Sequence, residues 1–173
     1  MTTIHLLGSE GFIGKAIQRE VSLNDTLHSW SHSHKNPEHH FNLLDANTWQ
    51  TLLKRRPKKV ILLSWPGLPN YEELFHVTRN LPACIELIGK LTSAGLERLV
   101  VAGTCYEYGL KNGPMKESDS TSPVNCYAIA KDARQGGRVV VCSPTKTCDV
   151  PLTSRAVIED THAHCTQSGI VLF

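Results

Sequence analysis

The sequence predicts an α/β domain: a doubly wound parallel sheet with helices on both faces. Three observations predict it. Short apolar runs at 3–7, 59–63 and 98–102 alternate with stretches of helical spacing, the pattern of strand–helix–strand units. The first run leads directly into a glycine-rich turn, Gly8-Ser9-Glu10-Gly11-Phe12-Ile13-Gly14. Finally, Gly8, Ser31, Ser64 and Thr104 all fall at the carboxyl ends of predicted strands, the edge at which such sheets bind ligands.

Taken in order, residues 3–7 form a short buried strand that stops at Gly8. Residues 12–22 carry helical spacing, with Phe12, Ile13, Ala16, Ile17 and Val21 on one face. Thr26 to Trp30 is a second strand, and the polar, His-rich stretch 31–40 is a loop. Phe41 to Leu44 is expected as a short third strand, after which Asp45 caps a helix over 46–54. Lys59-Val60-Ile61-Leu62-Leu63 is a continuous apolar run of the kind a parallel sheet buries on both faces. Residues 71–93 alternate helically, with Leu74, Val77, Leu81, Ile85 and Ile88 on one side and Pro82 dividing the helix or kinking it. Gly95 closes that helix, 98–102 is the next strand, and a long loop precedes a helix near 125–135. Gly136-Gly137 then breaks the pattern. The expected domains are therefore 1–135, a nucleotide-binding unit, and 136–173, an atypical tail with one strand near 138–142 followed by irregular chain.

A chain of 173 residues fits one domain with a sizeable core. The formal charge of +2 comes without an aromatic-interleaved basic patch, so no nucleic acid is expected as a partner. No apolar stretch approaches the roughly 20 residues of a membrane span, and the N-terminus lacks a signal-peptide pattern. The six cysteines contain no CxxC and read as reduced thiols in the cytoplasm. Nine histidines invite a metal site, but neither the cluster at 32, 34, 39 and 40 nor His162, His164 and Cys165 has zinc spacing, so none is expected.

Two motifs carry chemistry. In the turn, Gly8, Gly11 and Gly14 permit tight backbone and close approach of a pyrophosphate, while the N–H groups around Phe12 and Ile13 at the helix start offer a positive dipole. The spacing is GxxGxxG, which also suits a plain tight turn. At the end of the second strand, an acid would bind a ribose 2′-hydroxyl; here the chain reads Trp30-Ser31-His32-Ser33-His34-Lys35. Ser31 and His32 with that lysine lean toward a 2′-phosphate, hence NADP over NAD, or form a solvated loop. Asn42 and Leu43 end the expected third strand, where an adenine lies in such folds. The second motif is Tyr127-Ala128-Ile129-Ala130-Lys131, with Thr104 23 positions upstream of the tyrosine. Residues i and i+4 share a helix face, and a nearby cation favours a phenolate. Tyr127 is then a proton carrier, Lys131 its helper and Thr104 a hydrogen-bond partner for substrate; an exposed Tyr/Lys pair is the plain alternative.

With these residues in place, the chain resembles the extended short-chain dehydrogenase/reductases, the NAD(P)-dependent epimerase/dehydratases of nucleotide sugars, over about residues 3–135. The motifs are Gly8 to Gly14, Asn80 in the crossover helix, Gly103-Thr104-Cys105-Tyr106-Glu107-Tyr108-Gly109, Pro114-Met115-Lys116-Glu117, and Ser122-Pro123-Val124-Asn125-Cys126-Tyr127 leading to Lys131. The resemblance implies a Rossmann-like fold, NAD or NADP, and hydride transfer followed by epimerisation, elimination or reduction. It gives Thr104, Tyr127 and Lys131 the catalytic positions and sets Ser64, Trp65 and Pro66 along the nicotinamide. It also implies a homodimer through helices 71–93 and 125–135. The family continues well past its YxxxK helix, whereas the likeness here stops near Gln135. A truncated or frame-shifted chain, with its C-terminal substrate half missing, is expected. Two alternatives to an enzyme stay open: a non-catalytic dinucleotide-binding remnant, and a structural or interaction protein keeping the fold.

Overall fold

The computed structural model describes residues 3–21, 25–111, 115–116, 118–135, 140–143, 146–149, 156–157 and 171–172. Four parallel strands form its main sheet: β1 (Thr3–Leu7), β2 (Thr26–Trp30), β3 (Lys59–Leu62) and β4 (Arg98–Val101), in the order β2-β1-β3-β4. β1 pairs with β2 from Thr3↔Thr26 to Leu7↔Trp30 and with β3 from His5↔Val60 to Leu7↔Leu62. β3 pairs with β4 from Lys59↔Arg98 to Leu62↔Val101. Every pair runs in one direction, so the carboxyl ends of all four strands share one edge.

The helices are α1 (Phe12–Glu20), α2 (Trp49–Lys54), α3 (Leu81–Ser93) and α4 (Cys126–Gln135). Asp45 caps as expected: its carboxylate accepts from the Asn47 N–H and starts a 3-10 turn, Ala46–Thr48, that runs into α2. Pro82 also acts as expected. A π-helical turn, His76–Asn80, feeds α3, and Pro82 sits in the first turn of α3, at the junction of the two pieces. The core is one cluster in which Leu7, Trp30, Phe41, Leu43, Trp49, Leu52, Leu62, Leu87 and Leu91 are essentially closed to solvent.

Three expectations fail. No third strand forms at 41–44; Ser31 and His40 share a single parallel bridge instead. The cause is local. The Asn42 side chain accepts from the Leu44 N–H, and its backbone N–H donates to the Thr48 hydroxyl, so the chain curls into turns rather than a ladder. The predicted face of α1 is not buried either: Phe12 is 88% exposed and Ala16 is exposed, because the helix approaches the sheet through Gly14. In α3 the buried side is Cys84, Leu87, Ile88 and Leu91, while Leu74 and Ile85 face outward. The π turn shifts the helical phase between the two pieces, so one face cannot be read across both.

Beyond α4, β5 (Val140–Ser143) pairs antiparallel with β6 (Lys146–Asp149), and β7 (Ala156–Val157) with β8 (Val171–Leu172). Neither pair joins the main sheet. The strand expected at 138–142 overlaps β5; the other three lie where the sequence shows no periodicity.

Candidate active site

Two constructions meet at the carboxyl edge of the sheet. The first is the turn after β1. The N–H groups of Gly8 and Ser9 both donate to the Trp30 carbonyl, at 2.8 and 3.1 Å, and tie the turn to the end of β2. Gly8 has φ of 98°, and a Cβ there would lie 2.8 Å from the Ser64 nitrogen. A Cβ on Gly14 would lie 2.4 Å from the Gly8 carbonyl oxygen. Both positions exclude any side chain, which packs α1 tightly against the strand end. Gly11 is the N-cap of α1, with no side-chain cap and no acid in the first turn. The first N–H groups of α1 therefore have no intrahelical acceptor and present positive dipole. Beside them, at the end of β2, Ser31 is buried and its hydroxyl has no hydrogen-bond partner among the described residues.

The second construction surrounds α4. The Asn125 side chain accepts from the Ala128 N–H at 2.8 Å and caps the helix. Tyr127 and Lys131 follow one turn apart, both buried. The Lys131 ammonium donates to the Ala102 carbonyl at 2.9 Å, just past β4, and lies 4.1 Å from the centroid of the Trp65 ring. It is 5.6 Å from the Tyr127 ring centroid. Tyr127 in turn meets Trp65 edge-on at 6.2 Å and touches Tyr71 and His76 at 5.4 and 5.3 Å. A ring of aromatic side chains thus encloses the phenol and the ammonium.

That ring is pinned by hydrogen bonds. The Trp65 indole N–H donates to His76 Nδ1 at 3.1 Å. An indole can only donate, so the neutral imidazole carries its proton on Nε2, which donates to the Asn70 carbonyl at 2.9 Å. Burial, the largest influence, lowers the His76 pKa; the Asn70 bond and Glu73 oppose this, and Lys131 adds to it. Asn80 donates to the Pro66 carbonyl at 2.9 Å, while its own buried carbonyl oxygen has no partner among the described residues. Thr104 begins a 3-10 turn, Cys105–Tyr108: its hydroxyl accepts from the Tyr106 N–H, and the Glu107 carboxylate accepts from the Thr104 N–H at 2.9 Å.

Residues 4–135 match the model of the NAD dependent epimerase/dehydratase family. The chain belongs to this family. Among solved structures, it is similar to the ADP-L-glycero-D-manno-heptose-6-epimerase of Helicobacter pylori, at 18% identity and a TM-score of 0.62, over 78% of this chain and 49% of that one. It is also similar to a dTDP-4-dehydrorhamnose reductase of Bacillus anthracis in complex with NADP, at 17% identity and a TM-score of 0.60, over 78% and 48%. A short-chain dehydrogenase/reductase superfamily protein of Agrobacterium tumefaciens with bound NAD gives 18% identity and a TM-score of 0.57, over 75% and 42%. At these identities the likeness is one of fold. The chain spans about half the length of the solved structures it matches. No curated protein sequence matches it significantly.

Within this epimerase/dehydratase fold, the predicted residues separate into three groups. Gly8, Gly11 and Gly14 form the turn, and Ser64 abuts it through its backbone. Trp65, Tyr127 and Lys131 are in mutual contact. Asn42 and Leu43 do neither: Asn42 is engaged in its turn and Leu43 is wholly buried in the core. Phe12 and His32 are exposed, Ile13 and Pro66 half-buried. The sequence reading missed the roles of His76, Tyr71 and Glu107. His76 and Asn80 lie at i and i+4, a spacing that places both on one side of a helix, but nothing local ties them to Trp65. Among the described residues, no group of His, Cys, Asp or Glu is arranged to hold a metal ion, and no helix is long and apolar enough to cross a membrane.

Proposed function

We propose that the chain binds NADP or NAD across the turn after β1 and acts as an epimerase, dehydratase or reductase of a nucleotide sugar. The observation that carries this reading is the buried Tyr127/Lys131 pair on one face of α4, held at the end of β4 in a member of the epimerase/dehydratase family. The glycine cradle, the uncapped start of α1 and the orphaned Ser31 hydroxyl fit a dinucleotide. The absence of an acid at 31–35 leans the choice to NADP. When bound, the nicotinamide supplies hydride acceptance and return.

The chain's own part is proton handling and placement. Tyr127 takes a proton from a substrate hydroxyl or returns it, and the Lys131 charge favours the ionised phenol. Thr104 already accepts from Tyr106 through its oxygen; the hydroxyl proton is what it offers a substrate. Trp65 covers Lys131, so a ribose hydroxyl reaches the ammonium only when the indole turns aside. That cover favours a second reading, a dinucleotide-binding protein without turnover. In either case residues 1–135 form the binding domain and 136–173 an appended tail of a cytoplasmic protein. A homodimer through α3 and α4 is supported by the exposed Ile85 and Ile129.

Titration with NADPH and NADH, followed by turnover assays on UDP-, GDP- and dTDP-sugars, tests the proposal. Saturable binding with turnover that falls at least about a hundredfold in Tyr127→Phe supports the enzyme. Binding without turnover selects the second reading, and no binding of either dinucleotide removes both.

A further inference from the structure

The backbone on both sides of Trp65 is pinned. The Ser64 N–H donates to the Leu7 carbonyl at 3.1 Å, and the Pro66 carbonyl accepts from Asn80 at 2.9 Å. Motion at this position therefore belongs to the indole and not to the loop that carries it. At 9% exposed, Trp65 is the most open member of the core cluster among the described residues. Two polar contacts orient its ring: the N–H bond to His76 Nδ1 at 3.1 Å, and the face laid over the Lys131 ammonium at 4.1 Å. A neutral hydrogen bond and a cation–π contact are each modest in net strength, so a competing ligand can displace them.

His76 has a second donor in reach. The Asn80 amide nitrogen lies 3.3 Å from the same Nδ1 that the indole uses. That nitrogen carries two protons. One serves the Pro66 carbonyl, and the other is available to the imidazole. When the indole leaves, the buried Nδ1 keeps a partner, and the usual cost of orphaning an acceptor is avoided. Lys131 keeps its bond to the Ala102 carbonyl in the same event. The indole can thus depart without leaving either of its polar partners stranded.

We propose that Trp65 is a gate on the dinucleotide site: closed, its indole face holds the Lys131 ammonium that a ribose hydroxyl would otherwise take; open, His76 Nδ1 passes from the indole to Asn80. This gate rests on the dinucleotide reading given above and adds its regulation. His76 and Asn80 are positioning residues, since they act through the indole. A ligand that needs a partly populated state binds with an affinity reduced by that population. The closed contact therefore weakens dinucleotide binding, and removing it strengthens binding. Damage to the fold would do the reverse.

Two measurements on the whole chain test the gate, using the parent, Trp65→Phe and Trp65→Leu. Trace acetylation without ligand, read by peptide mass at Lys131 relative to the exposed Lys90, reports the cover. Titration with NADPH and NADH, followed by nicotinamide fluorescence, reports affinity. Trp65→Phe keeps a ring and guards against a folding defect in Trp65→Leu. Lys131 should label about tenfold faster in Trp65→Leu and about threefold faster in Trp65→Phe, and dinucleotide should bind more tightly by similar factors. Unchanged labelling in both variants overturns the gate. Faster labelling with equal or weaker dinucleotide binding overturns it too, and leaves the dinucleotide reading standing. Faster labelling with no dinucleotide bound by parent or variants overturns that reading, and the gate on this ligand with it.

Discussion

The turn after β1 and the aromatic ring around Tyr127 sit at the same edge of one sheet but are built from different materials. The turn is backbone against backbone: Gly8 and Gly14 matter because they carry no side chain, and their contacts lie within seven residues or with the adjoining strand ends. The ring is side chain against side chain, drawn from the loop after β3, the π turn before α3 and α4 itself. A backbone device tolerates almost no substitution. A side-chain device degrades in steps, because each contact can be removed separately.

The sharpest way to break the comparison is at Gly14. Its absent Cβ would sit 2.4 Å from a backbone oxygen that cannot turn aside. Gly14→Val should cost more than about 4 kcal/mol or prevent folding, as forced overpacking at a rigid site does. Gly11→Ala is the control. Its Cβ would meet the same oxygen at 3.4 Å, a tolerable contact, and should cost less than about 1 kcal/mol for the poorer N-cap. Urea unfolding of both variants decides the matter: similar losses would mean that the turn is not held by close approach.

The same distinction explains what could be read from the chain. The glycine turn, the four parallel strands and the Asp45 cap are legible because local pattern determines them. Tyr127 and Lys131 are legible as a pair because helix geometry fixes i and i+4. Their surroundings are not. Trp65 is 66 positions from Lys131 in sequence, and no spacing rule connects an indole in a loop to an ammonium on a helix. The false strand at 41–44 has the converse cause: Phe41 and Leu43 alternate like a strand and are buried like one, but Asn42 between them bonds to its own neighbourhood. Thr104 lies three residues past the end of β4 as the cap of a 3-10 turn, and its bond to the Tyr106 N–H is not legible in the sequence, since such a cap looks like any Thr before a Glu three residues on.

The stepwise behaviour expected of the ring can be measured at Trp65. Trp65→Ala removes the face over Lys131 and the donor to His76 together, and should cost about 3 kcal/mol, the low end for a buried aromatic. Trp65→Phe keeps a ring over the ammonium and removes only the N–H, leaving His76 Nδ1 without its indole donor. The expected cost is about 1–2 kcal/mol. If phenylalanine is as damaging as alanine, the hydrogen bond governs and the cation–π contact contributes little.

The smallest effect separates the two constructions by pH. The glycine turn contains no histidine, whereas the ring contains His76, whose pKa in the folded chain lies below the ordinary 6.5 because it is buried. The unfolded chain therefore takes up that proton at higher pH than the folded chain does. Stability from His76 is fully present above 6.5 and is lost as pH falls below it toward the folded value. Protonation at Nδ1 would also remove the acceptor for the Trp65 indole, so acid should alter tryptophan fluorescence along with stability. His5, held at about 4, and His28, also lowered, contribute with the same sign from the other end of the sheet. The comparison must therefore be a difference. His76→Gln retains a donor and an acceptor but does not titrate, so it should lose less stability than the parent between pH 7 and pH 5 in paired urea titrations. Equal losses would assign the acid sensitivity to His5 and His28, and the ring would then be as indifferent to pH as the turn.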